Sequence, residues 1–173
     1  MKTIQLTRGQ IALVDDEDYE ELSKYYWQAS LNGRVWYAQR AIVNEISKKK
    51  SSLSMHRQIL KLPNQKIDHI DRNGLNNQKN NLRLCTTAQN GANRRKQEKE
   101  SLSKHKGVTY HKRDQRWQAS IRFQKIKYYL GYFSTENEAA LAYNKAASKF
   151  WGEFADLNIV EAAQDLTKAG SCG

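Results

Sequence analysis

The sequence predicts an α+β fold assembled from small pieces in series. Three observations carry that reading. Short segments alternate apolar and polar residues at the two-residue period of a half-buried strand, as in Ile4 and Leu6 or Leu82 and Leu84. Two stretches set a Thr three residues ahead of a Gln or Glu, Thr86 to Gln89 and Thr135 to Glu138, the spacing with which a helix start satisfies its own first amides. Charge is also uneven: residues 101–130 hold eight Lys or Arg against one acid, Asp114, and residues 131–173 hold three against six. Breaks in pattern divide the chain into a small β-rich region (1–62), a strand–loop–strand–helix stretch (63–96), a linker (97–103), a three-stranded antiparallel sheet with a helix (104–158) and a tail (159–173).

The formal charge of +11 over 173 residues implies a polyanionic partner. No apolar run approaches the ~18 residues of a membrane span, and the start of the chain has no signal-peptide core. Nucleic acid is therefore expected over a membrane, and a cytoplasmic location over an exported one. Cys85 and Cys172 lie far apart without a Cys-x-x-Cys pair, so no cysteine-held zinc site is expected.

Taken in order, Ile4 and Leu6 and then Ile11 and Leu13 read as a hairpin turning at Arg8-Gly9. Asp15-Asp16-Glu17-Asp18 suits the positive end of a short helix running to Lys24, its acids facing solvent. Trp27–Ser30 and Arg34–Val43 flank Asn32-Gly33, a strong hairpin signal. Lys48-Lys49-Lys50 reads as a solvated turn, with a phosphate contact as its second role. Ser54 to Leu60 leads from a strand into a short helix that ends before Pro63, the only proline. In it Arg57 is the candidate phosphate contact, while His56 is either a packed helix residue, the favoured reading, or a second phosphate contact.

Ile67 opens a short strand that carries Asp68 and His69. Asn73-Gly74 and the asparagines after it make a polar loop, Leu82 and Leu84 mark a second strand, and Asn90 falls in the first turn of the helix begun at Thr86. An Asp beside a His sets a hard oxygen ligand next to a proton acceptor, and Asn90 can offer a second oxygen. Mg²⁺ and Mn²⁺ prefer such ligands and keep positions open for phosphate and water. A His titrating near neutrality can deprotonate an attacking water. Beyond the helix, Arg94 and Arg95 would suit backbone phosphates.

In the C-terminal stretch Val108 and Tyr110, Ala119 and Ile121, and Ile126, Tyr128 and Leu130 form an inward set. Thr109, His111, Gln118, Ser120, Arg122, Lys125, Lys127 and Tyr129 face outward. A helix after Thr135 places Ala139, Tyr143, Ala146, Ala147 and Phe150 on one face, against the sheet.

The order Asp68-His69, asparagine-rich loop, Asn80-Asn81-Leu82-Arg83 and helix-start Asn90 resembles the HNH nucleases, which have a ββα-metal fold. It is closest to the phage and intron homing-endonuclease branch, where Asn replaces the last His. The resemblance implies Asp68 and Asn90 as ligands of one Mg²⁺ or Mn²⁺ per site, His69 as general base and Asn81 as the residue that steadies the loop and the His. One such centre cuts one strand, which leaves nicking and double cutting by a homodimer on DNA both open.

His105-Lys-Gly-Val108, Trp117-Gln-Ala-Ser-Ile121, Leu130-Gly-Tyr-Phe133, Glu138-Ala-Ala-Leu-Ala-Tyr143 and Ala155-Asp-Leu-Asn158 resemble the AP2 DNA-binding domain, whose exposed sheet face lies in the major groove. By position Arg122, Lys127 and Tyr129 resemble that family's DNA contacts. Thr109, His111 and Arg113 stand where arginines and a Trp are usual, so the plant base preference does not carry over. The resemblances together imply a metal-dependent DNA endonuclease whose AP2-like part chooses the site; the alternative is a non-catalytic DNA-binding regulator on the same folds.

Overall fold

A computed structural model describes residues 1–43, 48–96 and 102–160. It is α+β, with small antiparallel sheets and helices grouped into two compact units, Met1–Arg94 and Arg95–Gly173.

The first unit opens with an antiparallel hairpin, β1 (Lys2–Gln5) and β2 (Ile11–Val14). A single 3-10 turn joins them, in which Arg8 and Gly9 take positive φ. Helix α1 (Asp16–Leu22) starts with acids in its first turn, as its dipole favours, and stops two residues short of Lys24. Trp27, 1% exposed, donates its indole nitrogen to the Leu22 carbonyl at 2.9 Å and so fixes the helix end to the next strand. Strands β3 (Gln28–Asn32), β4 (Val35–Val43) and β5 (Lys50–Ser54) form an antiparallel sheet in that order. Lys50 thus belongs to a strand and not to the lysine turn expected from the sequence. Helix α2 (Met55–Ile59) follows directly.

Then come β6 (Ile67–His69), a long loop ending in a 3-10 turn at Lys79–Asn81, β7 (Leu82–Leu84) and α3 (Thr87–Ala92). The Thr86–Gln89 box caps α3 in both directions. Ile67, Leu75 and Leu82 share one core with Ile4, Val14, Leu22, Trp27, Ala38 and Met55, so segments on both sides of residue 62 bury their apolar surface together.

The polar loop is tied down on two sides. Its backbone pairs with β2, through Leu13 N to Leu75 O and Asn77 N to Leu13 O, both 2.8 Å. Asp15 accepts from the Lys79 amide (2.7 Å) and the Gln78 side chain (3.1 Å), and the Lys79 ammonium meets Glu17 and Asp18. This corrects the expectation that the acidic run simply faces solvent: its first carboxylate bonds the loop, not its own helix. On the other side, a Cβ on Gly74 would lie 2.4 Å from the Trp36 carbonyl oxygen and 2.7 Å from the Tyr37 ring. Glycine there lets the loop lie against β4.

The second unit is a three-stranded antiparallel sheet, order β10-β9-β8, with β8 (Val108–His111), β9 (Arg116–Phe123) and β10 (Ile126–Phe133), covered by α4 (Glu136–Trp151). Ala139 and Ala140 are fully buried and Tyr143 and Ala147 nearly so, which brings helix and sheet close, as the alanine face predicts. Phe150 stacks on Phe123, with ring centroids 4.9 Å apart. Two details differ from the alternation read in the sequence. Lys125 is not an outward strand residue: Gln124 and Lys125 both take positive φ and form the β9–β10 turn, leaving Ile126 at the sheet tip, 57% exposed. A bulge between Tyr129 and Gly131 then shifts the register, so that Tyr132 stands opposite Gln118.

Asn158 closes the unit. It accepts from Lys106 N (2.6 Å), donates to Lys106 O (3.0 Å), and exchanges two further bonds with the Asn144 side chain. Ser103, at the end of the expected linker, is 3% exposed and bonds Glu136 at 2.7 Å. Residues 97–101 of that linker and 161–173 of the tail lie outside the described residues.

Candidate active site

Strand β6 places Asp68 and His69 side by side, each 5% exposed. Neighbouring strand residues point to opposite faces, so the two side chains enter different surroundings. Asp68 stands opposite Arg83 on β7, whose Nη2 and Nε donate to Oδ2 at 2.9 and 3.1 Å. From the end of α3, Asn93 adds its amide nitrogen to Oδ2 (3.0 Å), Oδ1 (3.2 Å) and the His69 carbonyl (2.9 Å).

His69 enters a cluster of rings. Its centroid lies 5.0 Å from His56 and 5.8 Å from Tyr37, all edge to face. Nε2 faces the Asn77 oxygen at 3.5 Å. An amide oxygen can only accept, so this contact belongs to the Nε2–H tautomer and leaves the Nδ1 lone pair available for a proton. Burial depresses the His69 pKa against the opposing influence of Asn77, Asp71 and Asp68. Burial, with the nearby His69 and Arg57, lowers His56 further, to about 3. Both imidazoles are neutral at pH 7, the form in which a His can accept a proton.

Asn81 bonds the loop. Its amide nitrogen donates to Asp71 (2.9 Å) and Asn76 O (2.8 Å), and its oxygen accepts from Asp71 N (3.0 Å). Burial would raise Asp71, but bonds from Asn76, the Asn73 amide and Asn81 outweigh it and hold that carboxylate below its usual range. Within reach of the His69 ring the asparagine is Asn77, fully buried, which sequence reading did not single out. Asn93 was also missed. It lies three positions beyond Asn90, on the same helix face, and that spacing was the available signal. Asn90 itself is half-buried in α3, and its side chain has no hydrogen-bond partner among the described residues.

The donor set suits a metal in a lean form. Among the described residues no three His, Cys, Asp or Glu side chains form a group that could hold a metal ion by themselves. Asp68 and Asn90 carry hard oxygens of the kind such an ion takes, and among the described residues Asp68 Oδ1 makes one contact, the 3.2 Å bond from Asn93. Mg²⁺ commonly takes one or two protein oxygens and completes its shell with phosphate and water.

Of the cations predicted to meet DNA, Arg57 spends a nitrogen on the Pro63 carbonyl at 2.9 Å, while Arg94 and Arg95 are exposed. In the second unit Thr109, Arg113, Arg122, Lys127 and Tyr129 are exposed, and His111, Gln118 and Ser120 half-buried. Arg113 and His111 both pair with Asp114, at 2.9 and 3.1 Å.

Residues 61–92 match the family model described as HNH endonuclease. A protein of Acanthamoeba polyphaga mimivirus, described as an uncharacterized HNH endonuclease, is 31% identical over 161 residues, covering 89% of this chain and 78% of that protein. The chain belongs to the HNH endonuclease family. To its HNH part it joins a C-terminal part similar to plant AP2 proteins. An AP2-like ethylene-responsive transcription factor of Arabidopsis thaliana is 45% identical over 58 residues, and an APETALA2-like protein of Oryza sativa 44% over 57. These matches span about a third of this HNH chain and only 12 and 13% of the plant proteins. No solved structure matches.

Proposed function

We propose that the protein is a divalent-metal-dependent DNA endonuclease of the homing type. In this reading β6, the polar loop, β7 and α3 are the ββα-metal unit, and β8–β10 with α4 form an AP2 module that selects the site on duplex DNA. The observation that carries it is the buried Asp68–His69 pair, in which His69 Nε2 is directed at Asn77.

His69 takes the proton of the attacking water at Nδ1. Asn77 orients the ring, while His56 and Tyr37 exclude solvent behind it. Arg83 and Asn93 hold the Asp68 carboxylate in place, and Asn81 keeps the loop in register. Asp68 and Asn90 would hold Mg²⁺ or Mn²⁺, which when bound supplies charge stabilisation at the scissile phosphate and its leaving 3′ oxygen. One such site cuts one strand, so a double-strand break would take two copies on the DNA.

A second reading, a DNA-binding regulator without catalysis, draws on the ion pair: an Asp68 already neutralised by Arg83 attracts a cation less strongly. Conversion of supercoiled plasmid to the nicked form separates the two. The endonuclease nicks with Mg²⁺ or Mn²⁺ and not with EDTA, and His69→Ala abolishes nicking while DNA affinity stays within a few-fold. Plasmid left intact at every metal concentration, with DNA binding retained, would establish the regulator.

A further inference from the structure

We propose that the depression on the exposed face of the β8–β9–β10 sheet reads an A·T base pair, with Gln118 recognising the adenine; this rests on the reading that the sheet meets duplex DNA. The depression, about 420 Å³, is lined by His111, Gln118, Tyr129, Gly131 and Tyr132. It exists because of the bulge. In unbroken alternation Tyr129 and Tyr132 would face opposite ways, but the shift at Tyr129/Gly131, with Gly131 at φ +130°, puts both on the outward face. Gly131 leaves bare backbone as the floor between them.

Gln118 is held at the centre. Its Nε2 donates to the Tyr132 hydroxyl at 2.8 Å, and the Tyr132 ring is in turn packed by His111, with centroids 5.7 Å apart. One amide N–H is thereby used, and among the described residues the other N–H and the Oε1 acceptor of Gln118 have no side-chain partner. Adenine offers the complement in the major groove, an acceptor at N7 and a donor at N6. Guanine offers two acceptors there, so Oε1 would face O6 without a proton between them. The tyrosine rings and the bare Gly131 backbone accommodate the thymine methyl group. The rim is cationic: Arg122 pairs in register with Lys127, whose ammonium lies 4.7 Å over the Tyr129 ring. Those charges favour a polyanion at an open depression over a neutral small molecule.

The test uses the full chain in EDTA, so that nothing is cut, and a random-sequence duplex library. Repeated selection should enrich a motif with one fixed A·T position. Gln118→Ala should enrich the same motif with that position degenerate, and should bind the wild-type site about tenfold or more weakly. Tyr132→Phe removes only the hydroxyl that fixes the amide, and should relax the same position in part. Replacing that adenine by 7-deazaadenine should weaken the wild type and leave Gln118→Ala unaffected. An unchanged motif in Gln118→Ala, or equal wild-type affinity for the 7-deaza duplex, overturns the assignment while leaving the sheet a DNA reader. A wild type that binds no duplex at low salt overturns the DNA reading of the sheet and this assignment with it.

Discussion

Asn93 donates its amide nitrogen to both carboxylate oxygens of Asp68 and to the carbonyl of His69, at 3.0, 3.2 and 2.9 Å. One side chain at the end of α3 therefore sets the position of both residues of the Asp-His pair. Asn93→Ala should lower nicking at least tenfold and destabilise the fold by about 1–3 kcal/mol, since it strips bonds from a buried carboxylate. Asn93→Asp should do worse, because two carboxylates would then meet in a buried place. Plasmid nicking rates and urea melts of both variants check this; wild-type nicking in Asn93→Ala would remove Asn93 from the site.

Acid should loosen the first unit before the carboxylates titrate. His56 is displaced from 6.5 to about 3, and burial moves His69 the same way. Below pH 6.5 the unfolded chain takes up a proton that the folded chain refuses, so stability falls as pH falls. By pH 4 the loss from His56 alone is on the order of 3 kcal/mol. Asp71, held low by its hydrogen bonds, loses its own contribution only at still lower pH. Thermal melts from pH 7 to 4 should show this, and His56→Phe, which keeps a ring in the slot, should flatten the curve.

Gly74→Ala should damage the site from a distance. The added carbon would meet the Trp36 carbonyl and the Tyr37 ring, and the loop must move away from β4 to admit it. Overpacking of this kind costs about 1–3 kcal/mol. Since the same loop carries Asn77 and Asn81, nicking should fall further than stability does. Equal melting temperature and activity in Gly74→Ala would show that the loop relaxes freely.

Arg122 and Arg94 should fail differently. Arg122 lies exposed in mid-strand on the sheet face, where a guanidinium can read guanine, a contact worth about 1–3 kcal/mol of discrimination. Arg94 follows α3 and is the next residue after Asn93, which holds the Asp-His pair. Arg94→Ala should weaken all duplexes alike and reduce the salt slope by about one, whereas Arg122→Ala should cost a preferred site more than a scrambled one. Titrations of both variants across a salt series measure the contrast.

What could be read from the sequence was local. The capping boxes at Thr86 and Thr135 fixed two helix starts to the residue, and alternation found Val108, Ala119 and Ile121 facing inward. Contacts between distant segments were not legible. Asp15 bonds residues more than 60 positions away, and no short pattern announces that. Asn76, Asn77, Asn80 and Asn81 are identical in type, so composition could not say which meets the His69 ring. A bulge at Gly131 reverses the facing of every residue after it, and Tyr132 was missed for that reason.

Asn158 joins Lys106, just ahead of β8, to the segment that follows α4. The segment ahead of the sheet and the segment behind the helix therefore meet in one amide side chain. A unit whose ends coincide can be lifted out and spliced into a surface loop of another protein with short connectors on either side. A chain broken one residue before Asn158 leaves the Lys106 amide and carbonyl without their partner.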